Sequence, residues 1–362
     1  MIFDNQRNDI YARAIKQNVD DECVVLDLGS GLGIHGLIAA MSGAKKVYMV
    51  DPSPLLEISK KIAADNNLLP RLEFISGRIE DIDLPESIDL IVSVMAGNFL
   101  LTENLLPALF HARDKYLKPG GTLIPHLGKM FIAPVEAEFL YHHHVGSWAS
   151  NILGIDYNAV RNYAVNDLYH DQFDTAALNF LADPQILSAL DFRTAVSASC
   201  KQEINFETRQ TGVCHGWIGW FDLNIGEEIL STAPEAEKTH WSQVFLPLQT
   251  PVNLEKGCEL SFKLERPEFG DWTWTTSTDT LAQRQSTFLS SPVMPQDLSR
   301  QSNNYCPTLT SKGSMVLELL EKFNQNRSTE QIVNWLLEHH PEDFTTAENA
   351  EKFVKKLILE YG

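Results

Sequence analysis

A glycine-rich turn follows a run of apolar residues near the start of the chain. The run Val24–Leu28 has the composition of a buried strand, and Gly29, Gly31 and Gly33 follow it at alternate positions. Glycines let the backbone turn tightly and let a ligand approach main-chain amides without meeting Cβ atoms. The segment therefore predicts a strand, a turn and a helix that together bind a nucleotide-like cofactor.

Three acidic residues narrow the choice of cofactor. Asp51 ends the next predicted strand, where its carboxylate can accept hydrogen bonds from both hydroxyls of a ribose. Asp27 precedes the turn and would repel a pyrophosphate but attract the ammonium and sulfonium of S-adenosyl-L-methionine (SAM). Glu80 follows the third predicted strand and can accept from the adenine amino group. A dinucleotide fingerprint would need glycine in place of Ile34, so the spacing instead resembles the SAM-binding motif of class I methyltransferases.

The pattern of the chain changes twice and predicts three regions. In residues 1–125, β-branched runs alternate with helix-length segments, which predicts an α/β, Rossmann-like domain with a parallel sheet. Residues 126–290 contain short strands separated by polar turns and predict an antiparallel β-barrel or sandwich, with an inserted arm at about residues 150–190. Polar residues then accumulate, and residues 307–362 are predicted to form a small helical module.

Three amphipathic helices are expected in this C-terminal module, because its apolar residues recur at helical spacing. Ser328 with Gln331, and Thr345 with Glu348, have the spacing of capping boxes. We therefore expect the second and third helices to begin at these two pairs.

Three segments together resemble the protein arginine methyltransferase family, and the likeness covers about residues 1–280. They are Met1–Tyr11, Ser93–Leu105 and Thr239–Trp241, the last matching the family's threonine-histidine-tryptophan loop. The resemblance implies methyl transfer from SAM to a side-chain nitrogen of a peptide or protein. It also implies that residues 150–190 include a dimerisation arm, so a homodimer is expected.

The resemblance implies roles for individual residues. Arg7 would pair with the SAM carboxylate, Glu103 would orient the methyl acceptor, and His240 and Trp241 would shape its pocket. Two departures accompany this likeness. Val94 stands where the family has its first acceptor glutamate. The family also has an upstream aromatic helix over the cofactor, and the chain is expected to begin too late to include it.

Val94 bears directly on the identity of the acceptor. A guanidinium has no free lone pair and stays charged, and two carboxylates can localise that charge on the nitrogens that do not react. A neutral imidazole has a free lone pair near pH 7 and needs one acceptor, such as Glu103. We therefore expect a histidine, or an atypical position on arginine. Two alternatives are an inactive homologue that binds SAM or peptide as a regulatory subunit, and a methyltransferase for a small molecule such as free arginine.

The C-terminal module, residues 307–362, weakly resembles the winged-helix modules of the pyrroloquinoline-quinone D type, in its helices and in the final segment Leu357–Gly362. Those modules bind leader peptides of ribosomally made natural products by adding the peptide as a strand. The resemblance implies a precursor-peptide substrate recruited through its leader. A plain helical cap docked on the barrel is the alternative.

Composition limits the partners and the location. The formal net charge is −19, from 48 acidic and 29 basic residues. An acidic surface repels phosphate backbones and anionic lipids, so neither nucleic acid nor a membrane is expected as a partner, whereas a basic peptide would be attracted. The five cysteines form no CxxC pair, so neither a disulfide framework nor a metal site is expected. Without an apolar leader or spanning run, a cytoplasmic protein is expected.

Overall fold

The computed structural model of the chain describes residues 1–325 and 327–362. It contains two compact units, Met1–Pro292 and Val293–Gly362, and each has a buried core of its own. The second unit begins before the expected residue 307, because a helix lies within the polar stretch that precedes it. None of the helices in the described residues is long and apolar enough to span a bilayer.

The first part of the first unit is a five-stranded parallel sheet, as predicted. Its strands are β1 (Val24–Leu28), β2 (Lys46–Asp51), β3 (Leu72–Ser76), β4 (Ile88–Ser93) and β5 (Leu117–Ile124). They lie in the order β3-β2-β1-β4-β5. Because β1 is buried along its whole length and β2 and β4 along nearly all of theirs, their near-continuous apolar sequences are what a covered parallel sheet requires.

Four helices accompany this sheet: α1 (Asn5–Asn18), α2 (Ile34–Met41), α3 (Leu55–Asp65) and α4 (Leu106–Tyr116). Asp4 caps α1, because its carboxylate accepts from the amide of Arg7 at 3.1 Å. The Tyr11 hydroxyl of α1 donates to the carbonyl of Ser93 at the end of β4, at 2.9 Å. Helix α1 is thereby tied to the carboxyl edge of the sheet, where cofactors bind in such folds.

The second part of the first unit is antiparallel and surrounds a shared aromatic core. Its strands are β6 (Leu127–Glu136), β7 (Asn151–Ile152), β8 (Ile155–Asp156), β9 (Tyr169–Asp171), β10 (Asn179–Phe180), β11 (Gln185–Asp191), β12 (Cys200–Glu207), β13 (Gly212–Ile225), β14 (Glu228–Ser231), β15 (Gln243–Leu254), β16 (Glu259–Arg266), β17 (Thr273–Ser277) and β18 (Ala282–Ser286). One sheet follows β10-β6-β13-β15-β9, and the other follows β12-β16-β17-β18. Trp217 of β13 and Phe262 of β16 pack with ring centroids 4.5 Å apart, which joins the two sheets.

The predicted arm at residues 150–190 is shorter than expected. Helices α5 (Glu138–His144) and α6 (Asn158–Ala164) flank the β7-β8 hairpin, whose tip residue Leu153 is 98% exposed. The later part of the stretch instead pairs with the main antiparallel sheet, since β9 joins β15 and both β10 and β11 join β6. Strands β9 and β10 gave no sequence signal, because two or three residues are too few to show an alternating pattern.

The second unit contains helices α7 (Pro295–Arg300), α8 (Ser311–Phe323), α9 (Thr329–His339) and α10 (Ala347–Tyr361). Ser328 and Gln331 form the predicted capping box of α9. Helix α10 begins one residue later than expected, because the Thr346 hydroxyl, not that of Thr345, accepts from the Asn349 amide. The described residues of this unit contain no strand. The strand addition implied by the winged-helix resemblance therefore has no sheet edge here.

Candidate active site

The glycine turn between β1 and α2 has the backbone that its composition predicted. Gly29, Gly31 and Gly33 have φ values of 74°, 52° and 86°, in the left-handed region that favours glycine. A Cβ atom on Gly33 would also collide with the side chains of Ser59 and Met49. An added Cβ on Gly31 would meet no atom within 4 Å. The turn is thus packed tightly at its helix end and open at Gly31.

Two of the predicted carboxylates hold this turn through main-chain amides. Asp51 accepts from the amide of Gly31 at 2.8 Å and from that of Ser53 at 2.7 Å. Each carboxylate oxygen keeps a second lone pair, which a ribose hydroxyl can use. Asp27 is buried and accepts from the amide of Gly36 at 2.8 Å. Burial raises the pKa of Asp27 to about 7, against the hydrogen bond from Gly36.

The buried polar atoms near this turn that have no hydrogen-bond partner among the described residues include Arg7 Nη1, Ser30 Oγ and His35 Nε2. Arg7 is 1% exposed, and its Nη2 donates to the Met1 carbonyl at 2.8 Å and to Asn8 Oδ1 at 2.7 Å. Burial lowers the pKa of Arg7. Burying polar atoms without hydrogen-bond partners costs free energy unless a ligand supplies those partners. These atoms fit the carboxylate of the amino-acid part of SAM, to which the sequence had assigned Arg7 alone.

A cavity of about 430 Å³ lies beside the turn and contains three predicted site residues, Gly29, Glu80 and Glu103. Its other lining residues are Leu28, Val50, Pro52, Gly77, Arg78, Ile79, Met95, Asn104, Leu105, Pro107, Ala108 and Phe269. The walls are largely apolar, as an adenine ring requires, with Glu80 at one side. The structure therefore brings Glu80, chosen for the adenine, and Glu103, chosen for the acceptor, into one space, whereas Asp51, His240 and Trp241 do not line this cavity.

Glu103 belongs to a segment with an unusual backbone. Phe99, Leu100, Glu103 and Asn104 all have positive φ values, between 48° and 67°, although none is glycine. Such conformations persist only where surrounding contacts impose them, and they concentrate at functional sites. Val94, which directly follows β4 and precedes this strained segment, is half-buried and packs against the apolar core. Among the described residues lining the cavity, Glu80 and Glu103 are the carboxylates.

The loop that contains His240 and Trp241 lies against this segment and against α1. Trp241 is buried, and its Nε1 donates to the Ala96 carbonyl at 2.7 Å. The Ser242 amide donates to Asn98 Oδ1 at 2.8 Å. His240 contacts Asp4, with Nδ1 at 2.8 Å and the amide nitrogen at 2.9 Å from Oδ2. The sequence had not singled out Asp4 for the site. Its only local signal was its spacing as the cap of α1.

The Asp4–His240 pair has defined electrostatics. Burial acts to raise the pKa of Asp4, but the hydrogen bonds from His240 and from the Arg7 amide outweigh it and lower that pKa. Burial lowers the pKa of His240 despite the Asp4 carboxylate. Near pH 7 the pair is therefore a carboxylate and a neutral imidazole.

The parallel sheet, the glycine turn and its carboxylates define a SAM-dependent methyltransferase of the Rossmann-like class. Residues 25–121 match a family profile described as a methyltransferase domain, and residues 126–271 match that of the arginine methyltransferase oligomerization subdomain. Together the two matches show that residues 25–271 are similar to the protein arginine methyltransferase family. Residues 293–362 lie outside both matches.

Similar proteins include the histone-arginine methyltransferases CARMER of Anopheles gambiae and Culex quinquefasciatus, each 34% identical over 278 residues. The alignments cover 73% of this chain and 44% and 46% of those proteins, so the chain spans about half their length. Among solved structures, the Trypanosoma brucei PRMT1 enzyme-prozyme heterotetrameric complex with AdoHcy is similar, with a TM-score of 0.73 and 27% identity over 79% of this chain and 96% of that one. Arabidopsis thaliana protein arginine methyltransferase 10 shares the fold, with a TM-score of 0.68 and 24% identity over the same shares.

Proposed function

We propose that this chain transfers a methyl group from SAM to a side-chain nitrogen of a peptide or protein, and that one carboxylate, Glu103, holds the acceptor. The observation that carries this proposal is the position of Glu103 in the cavity that also contains Gly29 and Glu80. Bound SAM would supply an electrophilic methyl group on its sulfonium. The chain's own task is to align an acceptor lone pair with that methyl group.

A single carboxylate favours particular acceptors. With Val94 in place of a second carboxylate, the polarised guanidinium that two acids can create is not available. A histidine imidazole presents a lone pair on one nitrogen while Glu103 accepts from the N–H of the other, which also fixes the tautomer. An arginine nitrogen that needs only one anchor is the other acceptor that fits. The net charge of −19 favours a basic peptide in either case.

The experiment uses SAM with a labelled methyl group and two peptide sets that differ only in histidine or arginine. We expect a one-methyl mass increase that fragmentation locates on one of these side chains. Glu103→Gln should reduce it strongly, because a neutral amide oxygen is a weaker acceptor than a carboxylate. Glu203→Gln, an exposed change on β12, serves as the matched control. No labelled product from any peptide, with SAM bound, would overturn the proposal.

A second candidate function is that of a non-catalytic subunit. The replacement of a carboxylate by Val94 supports it, and the similar Trypanosoma brucei protein is part of an enzyme-prozyme complex. In this case the chain would bind SAM or peptide and act only with a separate active enzyme. Product formed by the purified chain alone would exclude this alternative. Transfer to free arginine but not to peptides would indicate a small-molecule enzyme.

We also propose a homodimer that forms through the arm. The match to an oligomerization subdomain and the exposed hairpin tip at Leu153 support this assembly. Light scattering of wild type and of Leu153→Asp tests it, since a charge at the tip should shift the mass from dimer to monomer. A wild-type monomer at micromolar concentration would exclude it.

The second unit is proposed to recruit the peptide substrate. Its helices bury a small core of their own, while Leu317, Leu359 and Tyr361 remain exposed. An exposed apolar helix surface can hold an amphipathic peptide segment in place of the added strand that was first expected. The unit would then act on peptide affinity and leave SAM affinity unchanged.

A further inference from the structure

The segment 97–104, which contains Glu103, is held from outside its own domain. Besides its four left-handed residues, it begins with Gly97, where a Cβ atom would collide with the backbone of Thr102. Such a conformation is strained and needs external contacts to persist. Two of these contacts come from the antiparallel second part of the first unit, which we call the β domain. They involve the turn that starts at Arg266, the last residue of β16, and leads through Trp272 to β17.

The first contact is polar and reaches the residue next to Glu103. Arg266 is 2% exposed, and its guanidinium donates to the Asn104 Oδ1 and, at 2.9 Å, to the carbonyl of Ala198. The Phe269 amide donates to the same Asn104 oxygen at 3.2 Å. One side-chain oxygen of the strained segment therefore receives two donors from this turn.

The second contact is aromatic and reaches the other end of the segment. Trp272 stacks on Phe99, with ring centroids 5.5 Å apart and planes inclined by 27°. The Arg266 guanidinium carbon lies 5.6 Å from the centroid of the Trp272 ring, close enough for a cation–π interaction. Arg266 and Trp272, which we call the clamp, thus contact each other and the two ends of the segment, at Asn104 and Phe99.

Stability alone does not account for a buried arginine at this position. Arg266 forms no ion pair among the described residues, its Nε has no hydrogen-bond partner, and burial lowers its pKa although the Glu268 carboxylate acts to raise it. A buried cation without a carboxylate in ion-pair contact costs free energy that an apolar side chain of similar volume would avoid. What the guanidinium provides instead is a directional donor to Asn104.

We propose that Arg266 is a positioning residue, which sets the direction of the Glu103 carboxylate through Asn104, so that the β domain aligns the methyl acceptor held in the α/β domain. This inference rests on the proposed role of Glu103. Arg266 itself does not line the cofactor cavity, although its partner Asn104 does. Its loss should therefore lower the rate of methyl transfer more than the affinity for SAM.

The test compares Arg266→Met and Arg266→Lys with the control Arg113→Met. Arg113 is also buried and donates to two carbonyls, of Phe192 and Ala195, but it does not touch segment 97–104. We expect Arg266→Met to lower kcat about tenfold to a hundredfold, with the SAM Kd within about twofold of wild type. Arg266→Lys, which keeps a donor for Asn104, should recover part of the loss.

Hydrogen exchange of the amides in segment 97–104 provides a readout that does not depend on activity. It should be faster in Arg266→Met and unchanged in Arg113→Met. If Arg266→Met does not fold, Asn104→Leu removes the same contact from the other side and should show the same exchange. Unchanged exchange, or an equal kcat loss in Arg113→Met, would overturn the inference. If the wild type transfers no methyl group, the proposed function fails, while exchange still decides whether the clamp exists.

Discussion

The carboxylate of Asp4 binds His240 through two contacts, to the Nδ1 atom at 2.8 Å and to the amide nitrogen at 2.9 Å, across 236 residues of sequence. Its other oxygen caps α1 by accepting from the Arg7 amide. One side chain therefore joins the helix that carries Arg7 to the loop that carries His240 and Trp241. The cofactor side and the acceptor side of the site depend on this carboxylate.

Asp4→Ala should destabilise the first unit and weaken SAM binding together. It removes a helix cap, which typically contributes about 1 kcal/mol, and it leaves the half-buried His240 without its carboxylate partner, which costs about 1 kcal/mol more. Urea unfolding and calorimetric titration with SAM measure the two effects. Asp4→Asn keeps an oxygen for the cap and should lose less. Wild-type stability in Asp4→Ala would contradict this account.

Asp27 should make both stability and SAM affinity depend on pH. Its folded pKa of about 7 lies above the ordinary value of 3.8, so the folded state holds its proton more tightly than the unfolded state. The tighter proton binding by Asp27 stabilises the folded state. This stabilisation is fully present below about pH 3.8 and is lost as the pH rises to about 7. The positive charges of SAM favour the ionised carboxylate, so we expect the Kd to fall between about pH 6 and 8. Asp27→Asn should flatten both profiles, and a pH dependence that survives in this variant would contradict the assignment.

Val94→Glu should shift the acceptor preference toward arginine. A second carboxylate that reaches the acceptor together with Glu103 can localise the guanidinium charge on the nitrogens that do not react. Competition between otherwise identical histidine and arginine peptides measures the ratio of their kcat/KM values. Val94→Gln, similar in size and without charge, is the control. If both variants behave alike, the charge at this position does not select the acceptor.

Gly33→Ala should be much more damaging than Gly31→Ala. Both have positive φ, which costs an alanine roughly 1 kcal/mol, but a Cβ atom on Gly33 also collides with Ser59 and Met49. The free energies of unfolding of the two variants, compared by urea titration, check this difference. Equal losses would mean that the turn relaxes more freely than its packing indicates.

Removal of residues 293–362 should raise the KM for a peptide substrate without changing the SAM Kd. The first unit has its own core, so the truncated chain should fold, which circular dichroism can verify. A short peptide that lacks any recruiting segment is the control and should be methylated equally by both forms. Unchanged peptide kinetics would exclude recruitment by this unit.

Local sequence patterns were sufficient to predict the cofactor half of the molecule. The apolar runs that became β1, β2 and β4 are dictated by burial on both sheet faces, and the three glycines by backbone conformations that other residues avoid. Asp27 and Asp51 could be chosen from the same window because they lie on or beside these elements, whereas Arg7 was chosen only through the resemblance to the family. Short edge strands such as β9 and β10 were missed, since two or three residues show no period.

What only the tertiary structure decided is how distant segments meet. The sequence determined that Glu103 remains while Val94 replaces its partner, and that His240 lies in a recognisable loop. It could not show that Asp4 binds His240, or that Arg266 holds Asn104 and so supports the strained backbone at Glu103. The two contacts join residues that are 236 and 162 positions apart in the chain. Their side chains meet only after both domains have packed, and no local periodicity encodes that meeting.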